Sequence, residues 1–186
     1  MNSDLDKVTE WLLNASSVLR PIYFQLPVAG KEEPEYRERV YCYELYHLWR
    51  NEWSEDYPFS LGGEIDKTGH PLIRDKYKPD FLVHIPGVMK NLLVMEVKSK
   101  NTDALQIIAD LEKLTYFRKE LKDQFNQPAN YEAAYFWIYG ISINEWKQLS
   151  ADLLIKSKDN QRIDFSLISP FVHESYNTKA IEVSFS

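Results

Sequence analysis

The stretch KPDFLVHIPGVMKNLLVMEVKSKN, residues 78–101, holds two apolar runs, Phe81 to Ile85 and Leu92 to Met95, with Asp80, Glu96 and Lys98 in or beside them. The runs read as strands over about 79–85 and 91–98, joined near Pro86 and Gly87. Charge inside an apolar strand is unfavourable unless it is paired or bound to a cation. Successive strand side chains alternate faces, so Glu96 and Lys98 share one face, roughly 6–7 Å apart at Cα. If the two strands form a hairpin, opposed residue numbers sum to about 176–178 by the pairing geometry of an antiparallel ladder. Asp80 then lies across from Glu96 or Lys98.

The surrounding sequence predicts the frame. Apolar residues at three- and four-residue steps give an amphipathic helix over 4–19, with Ser3 as N-cap and Pro21 as stop. A connector follows, then a second helix from about Pro34 to Asn51 with Glu32, Glu33 and Glu35 at its positive end. Residues 57–65 read as a strand, 66–70 as a turn and 71–74 as a return strand. Beyond the hairpin come a helix over 103–122 capped by Asn101 or Thr102, and a continuously apolar strand over 132–140. A helix over 143–156 and strands over 162–169 and 180–185 complete the chain. Strand, helix, strand implies a right-handed crossover and parallel pairing. The expected fold is a single α/β domain over 1–186: a three-layer sandwich with a central mixed sheet flanked by helices. Its core spans about 35–140, with the N-terminal helix (1–20) and residues 141–186 as accessory elements.

A fourth charged candidate is Glu44, in the second helix between Val40, Tyr41 and Leu48. These neighbours set the expected apolar stripe, which places a carboxylate against the sheet. Magnesium and manganese favour carboxylate and water oxygens. Asp80 and Glu96 supply two such carboxylates, Lys98 can orient a water and offset charge on a phosphate, and Glu44 can complete the metal shell or hold a water. Arg74, Lys76, Lys78 and Lys100 flank the pair and are candidates for phosphate contacts. Glu64 and Asp66 compete with Glu44 for the third acidic role. His47, one turn after Glu44, reads as a hydrogen-bonded, partly buried histidine in preference to a metal or phosphate contact, and His70 and His84 lack the company a zinc site needs.

Pro79-Asp80, fifteen further residues, then Glu96-Val97-Lys98 resembles the PD-(D/E)XK signature of the restriction-endonuclease-like nucleases. The match lies at Pro79, Asp80, Glu96 and Lys98, with Glu44 as the helical acid, and covers roughly 35–140. The resemblance implies a restriction-endonuclease-like core and magnesium- or manganese-dependent cleavage of DNA, in preference to RNA, in restriction, repair or defence. It also leaves open a member without catalysis that serves as a binding or regulatory subunit.

Composition sets bounds on these readings. The 186 residues carry a net charge of −6, which argues mildly against a nucleic-acid partner. The distribution argues back: residues 67–122 hold 11 Lys and Arg against 7 Asp and Glu, and the remainder 11 against 21. One cysteine, Cys42, excludes an internal disulfide and fits a reducing, cytoplasmic setting. No stretch reaches the roughly 18 apolar residues of a membrane span, and no heptad pattern speaks for or against a homodimer.

Overall fold

A computed structural model of the chain describes residues 3–63, 78–88, 90–122 and 127–186. Six strands form one mixed sheet in sequence order: β1 (Ser60–Gly63), β2 (Phe81–Ile85), β3 (Lys90–Ser99), β4 (Ala133–Tyr139), β5 (Ser169–His173) and β6 (Ile181–Glu182). The first three are antiparallel, β3, β4 and β5 are parallel, and β6 returns antiparallel. The crossover from β3 to β4 carries helix α4 (Ala104–Lys119), and that from β4 to β5 carries α5 (Ile143–Lys156). Helices α1 (Asp4–Ser17), α2 (Pro21–Phe24) and α3 (Glu38–Arg50) precede the sheet. The expected α/β architecture with a mixed sheet and flanking helices is present.

Strand alternation sorts the apolar residues into two cores. Leu93, Met95 and Val97 of β3 join Tyr135, Trp137 and Tyr139 of β4 in a core with α1 and α3. Val94, Ala134, Phe136 and Ile138 point the other way, into a core with α4 and α5. Every residue of β4 is buried, as its unbroken apolar sequence requires of a strand covered on both faces. The hairpin register agrees with the sequence reading: Phe81 faces Met95 and Val83 faces Leu93, a sum of 176. The register then slips, with His84 opposite Asn91. Leu92 is the extra residue of this bulge, and it packs in the α1–α3 core beside Leu93.

Helix ends follow local chemistry. Ser3 caps α1 and Ser142 caps α5, each in a reciprocal capping box with Asp6 and Glu145. Asp103, not Asn101 or Thr102, caps α4, accepting from the Leu105 and Gln106 N–H groups. The second helix begins four residues later than Pro34, because the Glu35 backbone pairs with Leu26 in an isolated bridge. Residues 21–24 of the expected connector form α2. The late strand predicted over 162–169 is displaced: Phe165–Leu167 form a 3₁₀ turn and the strand is Ser169–His173. Pro170 offers this strand no N–H, while its carbonyl accepts from the Val183 N–H. Of the strand expected over 180–185, only Ile181–Glu182 pair in the sheet. The return strand over 71–74 lies outside the described residues.

Candidate active site

Asp80, Glu96 and Lys98 meet where β2 begins and β3 ends. By parity Glu96 and Lys98 belong to the sheet face covered by α4. Glu96 is 1% exposed, and its backbone partner in the parallel ladder is Phe136. Asp80 sits in the bend before β2, and its Oδ2 accepts the Val97 N–H at 2.7 Å. That bond ties the bend to β3 and fixes Asp80 beside Glu96. The Lys98 ammonium donates to Glu38 Oε1 at 3.1 Å and to the Val97 carbonyl at 3.0 Å. It also lies 3.2 Å from Asp110 Oδ2.

Three members of this cluster escaped the sequence reading. Asp110 and Lys113 come from α4, one turn apart, with Lys113 Nζ 2.9 Å from Asp110 Oδ1. Lys113 also stands 2.8 Å from Glu96 Oε1, off the direction of a hydrogen bond, so that this buried oxygen has no hydrogen-bond partner. A weak contact from Lys113 to the Lys78 carbonyl, 3.4 Å, draws the approach to Asp80 toward α4. The third is Glu38, in the first turn of α3, where a carboxylate also meets the positive end of the helix.

Glu38 takes the place expected of Glu44. The buried stripe of α3 is Tyr41, Cys42, Leu45 and Trp49, whereas Val40 and Leu48 are only half-buried. The stripe is thus turned by one residue, about 100°, from the one centred on Glu44. Six residues separate Glu38 from Glu44, which places Glu44 roughly 9 Å further along the axis and about 120° around it. Glu44 is half-buried and His47 is exposed.

The electrostatics follow from crowding. Burial pushes the Glu96 carboxyl well above the ordinary carboxylate range, and the neighbouring Asp80 charge pushes the same way against Lys113. Burial also raises Asp80, opposed by Lys98 and by the Val97 N–H, and raises Glu38, opposed by Lys98. For Lys98, burial favours the neutral amine, but Asp110, Asp80, Glu38 and Glu96 together outweigh it and hold the ammonium above the usual lysine range. Lys113 is raised in the same manner, with Glu96 and Asp110 outweighing burial. Four carboxylates therefore surround two ammonium groups, a deficit of two positive charges when all are ionised.

Lys78 and Lys100 are exposed, with the Lys100 ammonium 5.4 Å from the centre of the Tyr36 ring. Arg74, Lys76, Glu64, Asp66 and His70 lie outside the described residues. Among the described residues, no three His, Cys, Asp or Glu side chains are grouped as ligands of one ion, and no helix is long and apolar enough to cross a membrane. Comparison of the chain with known protein families, with characterised proteins and with solved structures gives no match.

Proposed function

We propose that the chain is a divalent-metal-dependent nuclease of the restriction-endonuclease-like type, hydrolysing phosphodiester bonds in DNA rather than RNA. The observation that carries this reading is the convergence of Asp80, Glu96 and Lys98 in a buried cluster that is short of two positive charges when its four carboxyls are ionised. Two hard oxygen donors suit magnesium, which is held through one or two carboxylates and keeps several waters for substrate to displace. Glu96 Oε1 is buried against the Lys113 ammonium at 2.8 Å, and a metal ion bound there would share or displace that contact. Asp80 and Glu96 would hold the magnesium or manganese ion. Such an ion polarises a phosphoryl oxygen and acidifies a bound water.

The chain's own groups do the rest. Lys98 stands near the C-terminal end of β3, its side chain 12% exposed, where its ammonium can orient the attacking water and face charge developing on the phosphate. Glu38 and Asp110 hold that ammonium from opposite helices and act as positioning residues. Lys113 steadies Glu96 and Asp110.

A second reading has its own support. The Lys98 ammonium donates to Glu38 and to the Val97 carbonyl and is ion-paired with Asp110, which suits a structural pair in a non-catalytic binding subunit. Cleavage of single- and double-stranded DNA and RNA, without metal and with magnesium or manganese, separates the two. Metal-dependent products from the wild type, lost in Lys98→Ala and Asp80→Asn of matched fold, are expected. Products equal in all three proteins, or none from folded wild type on any substrate, would reject the nuclease reading.

A further inference from the structure

Beside Asp80 lies a cavity of about 340 Å³, walled by Cys42, Tyr43, Tyr46, Gly63, Asp80 and Phe81. Three features set it apart from ordinary packing. Glu38, Cys42 and Tyr46 follow one another at four-residue steps, so the ridge of α3 that reaches Lys98 continues as the wall of the cavity. Asp80 belongs to both the charged cluster and the cavity. At Gly63 the wall has no side chain and its backbone packs directly on the rings: a Cβ there would come within 3.2 Å of the Tyr46 ring and 3.6 Å of Phe81.

Three of the lining residues are aromatic, Tyr43, Tyr46 and Phe81. Tyr46 and Phe81 lie parallel, 10° between planes, with centres 6.5 Å apart. The Tyr46 hydroxyl reaches the Leu61 carbonyl at 3.4 Å, which leaves the ring as its contribution to the cavity. Tyr43 is 60% exposed at the mouth. A large aromatic side chain held out of the core beside an apolar cavity has a face to offer. The cavity is near the lower bound of ligand pockets, about 300 Å³, which suits one ring system. Its walls are mainly apolar and offer π-faces rather than a row of donors and acceptors.

We propose that this cavity takes one unpaired nucleobase of a polynucleotide strand, stacked on Tyr43, and so directs the site toward single-stranded or flapped substrate. The proposal rests on the nuclease reading for its choice of strand, because only the shared Asp80 places a phosphate next to the base. A base held by its faces is recognised with little regard to identity.

The test uses the full chain with calcium and a short single-stranded oligonucleotide bearing one 2-aminopurine, whose emission falls on stacking. Wild type and Tyr43→Phe should quench the probe and bind with similar affinity. Tyr43→Ala should lose the quenching and bind at least about fivefold more weakly, the low end of one base–aromatic stack. The same sequence as a blunt duplex should bind more weakly than the single strand. Equal quenching of free 2-aminopurine nucleoside monophosphate would identify a mononucleotide site and overturn the claim for a strand. Wild type that neither binds nor quenches overturns the subsite outright and leaves the cavity to a partner of other chemistry. The two readings fail separately. Metal-dependent cleavage with Tyr43→Ala unchanged in binding and quenching removes the subsite alone. Quenching that depends on Tyr43, in a protein that never cleaves, removes the nuclease alone.

Discussion

The charge deficit of the cluster makes a prediction that needs no substrate. Glu96→Gln removes one of four carboxylates that face two ammonium groups, and with it the buried oxygen that lacks a hydrogen-bond partner. If a divalent ion fills the deficit in the wild type, it stabilises the fold by mass action. With a Kd of about 1 mM, the weak end of hard-cation sites, about 10 mM ion contributes roughly 1.4 kcal/mol. For a chain of 186 residues that is about 3–6 °C in Tm, at roughly 2–4 °C per kcal/mol. Loss of a metal carboxylate by Glu96→Gln or Asp80→Asn, taken as about 100-fold in affinity, reduces the shift to well under about 1 °C. The chelated proteins should differ in the opposite sense. The Glu96 carboxyl is raised by burial, so above its ordinary value of 4.5 the unfolded chain ionises more readily than the folded one. Glutamine removes that penalty while Lys113 keeps Asp110, and Glu96→Gln in chelator should melt at or above the wild type. Thermal melts in chelator, magnesium, manganese and calcium measure both effects. An equal shift in wild type and both variants would place the ion elsewhere, and no shift in wild type would refute the metal argument.

Three further predictions concern the scaffold. Tyr41 Oη accepts from Trp137 Nε1 at 2.7 Å and lies 2.6 Å from His173 Nδ1, all three side chains being fully buried. Tyr41→Phe strands both partners and should lower the urea midpoint by the equivalent of about 2–4 kcal/mol at unchanged slope. His173 is pulled from 6.5 to about 4 by burial, so the unfolded chain takes its proton first as pH falls. Stability should therefore drop between about pH 6.5 and 4 by up to about 3 kcal/mol, and His173→Gln should flatten that limb. The raised carboxyls of Asp80, Glu96 and Glu38 push the other way in the same window, so the difference between wild type and His173→Gln across pH is the quantity to read. Gly140 adopts φ +81°, and a Cβ there would lie 2.3 Å from the Tyr36 ring. Gly140→Ala should cost about 1–3 kcal/mol, read as a lower Tm, and Tyr36→Leu in the same chain should recover part of it.

What the sequence revealed and what it hid have one physical origin. Period two is a coarse signal: a strand has only two faces, so once residues 81–85 and 91–98 are strands, the shared face of Glu96 and Lys98 is decided, and the turn near Pro86 brings Asp80 to them. Period 3.6 is finer. A one-residue error in phase turns a helix by about 100°, enough to exchange Glu38 for Glu44. The tyrosines of α3 invite that error, because Tyr41, Tyr43 and Tyr46 are apolar by ring and polar by hydroxyl and end respectively buried, exposed and half-buried. Asp110 was legible by the rule already applied to the strand, since Ile107, Leu111 and Leu114 place it inside an apolar stripe where a carboxylate requires a partner. Lys113, one turn on, is that partner. Neither the cap at Asp103 nor the displaced β5 bears on this, because the crossover from β3 to β4 alone determines which side of the sheet α4 covers. Charge placed in an apolar setting thus identifies the members of the site one at a time. Their convergence depends on three separate elements, the hairpin, α3 and α4, and no spacing along the chain encodes it.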